Sequence, residues 1–208
     1  TISIFTHMLA KFGTAILAGY GVGARLEFLL TSIAFSFGIA SVPMIGMAVG
    51  AGRIARARRI AWVAGASAFV AVGVPACLVA IVPDLWVNIF TDSATVRATS
   101  HQYLSTVAPF YAFIGLASTM YFSSQGAAKV IGPVLAQTAR LVYITVVGWF
   151  LSTHEASAQS FFWLAASSMV VLGLLSCSSV VLTRWGPRDG KPAVRPARRL
   201  SSMNWKWR

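Results

Sequence analysis

Residues 28–59 read FLLTSIAFSFGIASVPMIGMAVGAGRIARARR, and this stretch decides the class of fold. Its first part, Phe28–Gly52, contains no formally charged residue, and its last part, Arg53–Arg59, carries four arginines and no acid. A helix needs about 20 apolar residues to cross roughly 30 Å of hydrocarbon, so the first part is long enough to span a membrane. A basic cluster directly after such a run is typical of a cytoplasmic loop.

The same succession of long uncharged runs and short charged loops continues to residue 183. Four further runs can each supply a span; they cover residues 60–83, 98–128, 130–152, which contains Arg140, and 156–183. None alternates polar and apolar residues as barrel strands do, so we predict an all-α membrane protein, a polytopic helix bundle with five complete transmembrane helices. Residues 1–10 look like the end of a further helix, so we expect a truncated first helix before Lys11.

The composition excludes a water-soluble globular domain and a disordered chain. The 208 residues are 57% hydrophobic and 11% charged, with a mean hydropathy of +0.72, whereas a soluble domain is about 25% charged. The two cysteines lie in apolar runs and the three histidines are scattered, so no disulfide and no metal site is predicted. No nucleophile and base can be placed together, so we predict neither an enzyme nor a bound cofactor.

The distribution of the net charge of +12 predicts the orientation in the membrane. Basic residues gather in 53–59, at Lys129 and in 184–208, which lie on one side if each run crosses once. The opposite loops are nearly balanced in charge, so the basic side is predicted to be cytoplasmic. We therefore predict a transmembrane bundle of residues 1–183 and a basic cytoplasmic tail of residues 184–208, with basic clusters that contact anionic lipids rather than nucleic acid.

Four stretches, in order and with consistent spacing, resemble the multidrug and toxic compound extrusion (MATE) transporters. They are LAGYGVGARLE at 17–27, VGAGRIARAR at 49–58, FTD at 90–92 followed by the Tyr103–Pro109 stretch, and FSSQGAAK at 122–129. The resemblance covers about residues 1–183. It implies that the chain is the carboxy-terminal half of a two-lobed antiporter, whose partner is the amino-terminal lobe of the same transporter.

The resemblance also implies an activity and a location. It predicts secondary active export of amphipathic, often cationic, drug-like compounds across the plasma (inner) membrane, in exchange for H⁺ or Na⁺. The two lobes would rock around a shared cleft by alternating access. Two alternatives stay open: a lipid-linked oligosaccharide flippase of the same superfamily, and a non-transporting membrane remnant or assembly partner.

The chain departs from the family pattern where some members bind a cation. The stretch Tyr111–Ser124 contains no acid, whereas some family members carry a cation-binding aspartate there. Apart from Glu27, no acid is available for the interior of the membrane. We therefore expect the coupling ion, H⁺ or Na⁺, to bind in the amino-terminal lobe.

Three charged residues near or inside spans are candidates for a gate or an ion pair. Counting back from Gly50 places Glu27 about 34 Å from the cytoplasmic end, near the opposite membrane interface. The charges of Arg25 and Glu27 are therefore either both solvated at that interface or part of a cleft or gate. These two residues are too close in sequence to face each other on one helix. Arg140 lies about 12 Å along its helix, where its side chain either reaches the cytoplasmic headgroups or joins a gating ion pair.

The cleft of a transporter for amphipathic cations needs polar and aromatic side chains, because aromatic faces attract cations. Tyr111, Ser118 and Gln125 are spaced by seven residues and so share a helix face. The same polar stripe is also typical of contacts between packed helices, so both interpretations stay open. The candidate cleft residues are Tyr20, Glu27, Tyr111, Ser118, Tyr121 and Gln125.

Overall fold

A computed structural model describes residues 2–154 and 156–185. The described residues form eight α-helices and one 3₁₀ turn, and they contain no strand. The helices are α1 (Ile2–Ala10), α2 (Thr14–Gly50), α3 (Ile54–Ile81), α4 (Asp84–Val87), α5 (Ala94–Val107), α6 (Tyr111–Gly126), α7 (Ile131–Thr153) and α8 (Ala158–Leu182), and the 3₁₀ turn is Ala108–Phe110. Five spans are long and apolar enough to cross a membrane, which confirms the predicted helix bundle. Of the predicted tail, only Arg184 and Trp185 lie within the described residues.

Helix α2 is longer than the uncharged run that predicted it. The run begins at Phe28, but the helix begins at Thr14 and has 37 residues, or about 55 Å. The predicted start of this span was therefore wrong. Arg25 and Glu27 do not end the helix. The chain reverses before α2 at Gly13, whose φ of 101° lies in the left-handed region that favours glycine.

The third span is interrupted by a 3₁₀ turn, as its proline allows. Helix α5 ends at Val107, a 3₁₀ turn contains Pro109, and α6 starts at Tyr111. Proline lacks the backbone donor that a straight helix would need at this point. This span has the largest buried share of the five, because α6 packs against α2, α3 and α8. The 3₁₀ turn itself packs against α3 and α8.

Small residues let α2 approach its neighbours closely at two levels. A methyl group added at Gly126 of α6 would lie 2.7 Å from the carbonyl oxygen of Val42. Gly23, near the other end of α2, packs against the ring of Tyr103 on α5. The hydroxyls of Ser41 and Ser123 lie 3.2 Å apart between these helices. Close backbone contact through small residues is a principal source of association between membrane helices.

Aromatic rings connect α2, α5 and α8 beside the candidate site. The rings of Tyr20 and Tyr103 have centroids 5.5 Å apart and planes at 87°. Tyr103 makes a second edge-to-face contact with Phe162, at 5.1 Å and 87°. Such pairs contribute about 0.5–1.5 kcal/mol beyond the area that they bury. They stabilise the packing where α2, α5 and α8 meet.

Candidate functional site

A cavity of about 550 Å³ lies between α2, α6 and α7. Its volume is within the range of about 300–1,000 Å³ that is usual for small-molecule sites. Its walls combine aromatic, polar and charged side chains. They are Glu27, Phe28, Thr31, Phe35, Ile114, Ser118, Tyr121, Phe122, Val134, Gln137, Thr138, Arg140 and Leu172.

A smaller space of about 30 Å³ shares two residues with this cavity. Glu27 and Arg140 line both spaces, and Tyr20, Tyr103 and Ser168 line the smaller one. The half-buried carboxylate of Glu27 therefore lies where the two spaces adjoin. Helix α2 begins at Thr14, 13 residues before Glu27, so Glu27 lies within the helix and not at its end.

Arg140 points into the bundle. Its Nε atom donates a hydrogen bond to Oγ of Ser168, at 3.4 Å, and Ser168 on α8 is fully buried. The alternative in which this side chain reaches the cytoplasmic headgroups is therefore wrong. The guanidinium instead brings a positive charge to the cavity wall, next to the buried hydroxyl of Ser168.

Glu27 and Arg140 face the same spaces without a direct ion pair. Within residues 2–154 and 156–185, the ion pair whose nitrogen and oxygen atoms lie within 4.0 Å is that of His101 with Asp84, and it does not involve Glu27 or Arg140. The carboxylate and the guanidinium therefore line the same spaces with N and O atoms more than 4.0 Å apart. Opposite charges in a cavity with apolar walls interact more strongly than they would in bulk water.

Arg25 lies outside the cavity. Its side chain is exposed, and its guanidinium carbon lies 4.9 Å from the centroid of the Phe90 ring. This geometry is a cation–π contact with the segment after α4. Arg25 and Glu27 thus face different surroundings, as their separation of two residues predicted.

The other predicted cleft residues divide into two groups. Ser118 and Tyr121 line the cavity, and Tyr20 lines the smaller space. Tyr111 does not line either space; it is buried, and its hydroxyl donates to the carbonyl oxygen of Gly23 at 3.1 Å. Gln125 is exposed at the last turn of α6. The stripe at steps of seven therefore does not form one wall, because α6 starts at Tyr111 and is enclosed by neighbours there.

Several cavity residues were not predicted. Thr31 lies four residues after Glu27, on the same face of α2, and this spacing could have identified it. Gln137 and Thr138 precede Arg140 in an otherwise apolar run, which is a second usable signal. Ser168 could not be identified in this way, because its contact with Arg140 depends on how α7 and α8 pack.

The chemistry of the cavity suits an amphipathic solute. The ring centroids of Phe35 and Phe122 lie 5.3 Å apart, and those of Tyr121 and Phe122 lie 5.8 Å apart, so three aromatic side chains form one continuous wall. A carboxylate and hydroxyl groups line the same cavity as this apolar surface. In the part of the chain that the structure describes, no group of three or more histidine, cysteine or acidic residues could hold a metal ion.

Comparison with known proteins gives one match. The family model described as MatE matches residues 3–151. This range is well over half of the chain, and it includes both Glu27 and Arg140. No curated protein and no solved structure matches the chain.

Proposed function

The chain belongs to the MatE family, and on that premise we propose that it is one lobe of a secondary active exporter of amphipathic, often cationic compounds. Its five apolar spans make it a multi-pass membrane protein, and its family is one of transporters. We propose that it works as an antiporter, taking H⁺ or Na⁺ in exchange for drug-like substrates. In this proposal the carboxy terminus is cytoplasmic and the membrane is the plasma (inner) membrane.

The observation that carries the proposal is the cavity that Glu27 and the aromatic wall share. A cationic amphiphile needs an anionic group for its charge and an apolar surface for its rings. Glu27 supplies the first, and Phe35, Tyr121 and Phe122 supply the second. Cation–π attraction to such rings contributes about 0.5–2 kcal/mol, depending on how far the cation is desolvated.

We propose that the coupling ion binds mainly in the amino-terminal lobe. Arg140 lines the same cavity as Glu27. A fixed positive charge close to a carboxylate opposes binding of a second cation there. In this arrangement Glu27 attracts the positive charge of the substrate, while Arg140 keeps the affinity of the cavity for that substrate low enough for release.

The transport cycle in this proposal is a movement of the two lobes relative to each other. Helix α7 has the smallest buried share of the five spans, and it forms one wall of the cavity. A lobe placed against α2 and α7 would close the cavity on its open side. Substrate would then reach each side of the membrane in turn without a continuous channel.

Transport by the full-length protein tests the proposal. The purified transporter is reconstituted in vesicles with an imposed pH or sodium gradient, and efflux of a fluorescent cationic dye is followed. We expect Glu27→Gln to slow efflux about tenfold or more, because interactions with a charged group are worth roughly 1.5–3 kcal/mol. Asp92→Asn is the matched control, since it removes an exposed carboxylate from a loop.

Two outcomes contradict the proposal. One is efflux by Glu27→Gln at the rate of the unchanged protein. The other is a gradient that does not dissipate faster when substrate is added, which would argue against antiport even if dye crosses the membrane.

The inward position of Arg140 favours a second candidate, the flippase for lipid-linked oligosaccharides. An anionic headgroup would bind to Arg140 and would be repelled by Glu27. The two functions therefore require opposite effects of Arg140→Gln. Loss of this charge weakens transport of an anionic lipid and strengthens binding of a cation.

A further inference from the structure

A second concave space lies on another side of the bundle, between α2 and α3. It has a volume of about 520 Å³, and we call it the α2–α3 groove. It is separate from the cavity described above, since the two have no lining residue in common. The lining residues are Phe37, Ala40, Ser41, Met44, Arg56, Arg59, Ile60, Val63 and Ala64.

The groove is polar at one end only. Arg56 and Arg59 lie three residues apart near the start of α3, so their side chains share one face of the helix. Ile60, Val63 and Ala64 continue along α3 from this point, over about 12 Å from Arg56 to Ala64. The groove thus has a charged mouth at the end of the bundle and an apolar length beneath it.

The hydroxyl of Ser41 does not make the apolar length polar. It donates to the carbonyl oxygen of Gly38 at 2.7 Å, and it lies 3.2 Å from the hydroxyl of Ser123. Its hydrogen-bonding capacity is used within the bundle. The remaining surface below the arginines is hydrocarbon.

The charge at the mouth has no acidic counterpart nearby in the sequence. Between Glu27 and Asp84 the chain contains no acid, so the lower part of α2, the turn and all of α3 lack negative charge. Arg58 is directed elsewhere, because its Nη2 atom donates to the carbonyl oxygen of Thr183 at 3.0 Å. Among the described residues, no carboxylate lies within 4.0 Å of Arg56 or Arg59.

We propose that the α2–α3 groove binds one anionic glycerophospholipid from the surrounding membrane. Arg56 and Arg59 hold its phosphate, because a guanidinium group matches the geometry of phosphate oxygens with two parallel hydrogen bonds. One acyl chain lies along the apolar length beside Ile60 and Val63. The start of α3 adds a favourable dipole for the negative charge.

Charge complementarity selects an anionic lipid over a zwitterionic one. The ammonium group of a phosphatidylcholine headgroup would be placed next to two guanidinium groups, and no carboxylate among the described residues lies within 4.0 Å of them to receive it. A headgroup with net negative charge avoids this repulsion. Basic pockets between transmembrane helices bind anionic headgroups for the same physical reason.

Photo-crosslinking in vesicles tests this site. The full-length transporter is reconstituted in phosphatidylcholine with a trace of phosphatidylglycerol that carries a photoreactive group in one acyl chain. After illumination, mass spectrometry identifies the modified peptides. We expect adducts concentrated in residues 37–44 and 60–64, and we expect excess unlabelled phosphatidylglycerol, but not phosphatidylcholine, to suppress them.

Charge variants separate a specific site from general attraction to the surface. Arg56→Gln with Arg59→Gln should lower labelling of these peptides about tenfold or more, since each basic residue strengthens binding about fivefold. Lys129→Gln with Arg184→Gln removes the same charge outside the groove, and we expect it to retain most of the labelling. Ala40→Phe fills the apolar length of the groove and leaves both arginines in place, so it too should strongly lower labelling of the groove peptides.

Three results would overturn the lipid site. The first is equal labelling of the groove peptides in the Arg56→Gln/Arg59→Gln variant and in the Lys129→Gln/Arg184→Gln variant. The second is labelling spread evenly over all lipid-facing helices. The third is a photoreactive phosphatidylcholine that labels the groove as strongly as phosphatidylglycerol does.

Discussion

The Nε atom of Arg140 lies 3.4 Å from the Oγ atom of Ser168, so a charged side chain of α7 is held toward a buried hydroxyl of α8. This contact directs the guanidinium to the cavity that Glu27 also lines. Without it, the long side chain could extend along the helix to the headgroups. The packing of two helices thus decides whether Arg140 belongs to the surface or to the site.

Substitution of Arg140 by glutamine should increase the affinity for a cationic substrate. The change removes a positive charge that repels such a substrate in the cavity, and we expect KM for a cationic dye to fall about fivefold, as for one unit of charge at a partly exposed site. Release should slow, so kcat should fall as well. Dye efflux from vesicles at several concentrations gives both constants, with Arg184→Gln as the control. An increase in KM would contradict the proposed role of this charge.

Tyr121→Leu should weaken substrate binding with at most a small loss of stability. Tyr121 is half-buried and lines the cavity, so leucine keeps apolar volume and removes the aromatic face. We expect KM for a cationic dye to rise about two- to fivefold, which corresponds to a cation–π contact of roughly 0.5–1 kcal/mol. Tyr121→Phe retains the ring and should behave like the unchanged protein. If both variants raise KM equally, the hydroxyl and not the ring is the important group.

Tyr111→Phe should lower stability and leave substrate binding unchanged, which is the opposite of what we expect for Tyr121→Leu. The hydroxyl of Tyr111 is buried and donates to the carbonyl oxygen of Gly23, so its removal loses one buried hydrogen bond between α6 and α2, while the Gly23 carbonyl keeps its bond within the helix. We expect a loss of about 1 kcal/mol in the free energy of unfolding, seen as a lower Tm in detergent. KM should not change, because this side chain does not line the cavity. A change in KM with an unchanged Tm would place Tyr111 in the site after all.

Gly126→Ala should separate α2 from α6. The added methyl group would lie 2.7 Å from the Val42 carbonyl oxygen, and neither backbone can move without disturbing the bundle. Overpacking of this kind costs about 1–3 kcal/mol, so we expect a clear decrease in Tm. Gly21→Ala is the matched control, since no atom lies within 4 Å of the added group. That variant should be neutral or slightly stabilising, because alanine favours helix.

Cysteine labelling tests the predicted orientation. In a background from which Cys77, Cys177 and any other cysteine of the full-length protein are removed, Ser93→Cys and Ala51→Cys place single thiols in exposed loops at opposite ends of the spans. A membrane-impermeant maleimide should label the cysteine at position 93 in intact cells. The cysteine at position 51 should react only after permeabilisation. Equal reactivity in intact cells would mean that the loop charges do not set the orientation.

The number of spans could be predicted because each apolar run is long enough to cross a bilayer. The interruption at Pro109 was not predictable from proline alone, because proline removes a helical hydrogen bond but α2 and α3 continue through Pro43 and Pro75. The start of α2 was not predictable either, because charged residues usually end a span. Here Arg25 lies against Phe90, and Glu27 faces a cavity, so the helix continues through both.

The candidate site was predictable only in part. Ser118 and Tyr121 were identified as polar and aromatic residues on one helix, and they do line the cavity. Tyr111 and Gln125 share their periodicity but not their surroundings, because periodicity describes a face and not the neighbours that cover it. Ser168 belongs to a separate helix, and only the packing of α7 on α8 brings it to Arg140.

The close contacts of α2 at both of its ends have a mechanical consequence. Gly23 packs against Tyr103 near one end, and Val42 against Gly126 near the other, so any pivoting of α2 on α5 and α6 would have to open these close contacts. We therefore expect this part of the molecule to move as a single stiff block. If the proposed amino-terminal lobe moves against it, a covalent staple between α2 and α6 should leave turnover intact, whereas one that ties α7 to that lobe should arrest turnover.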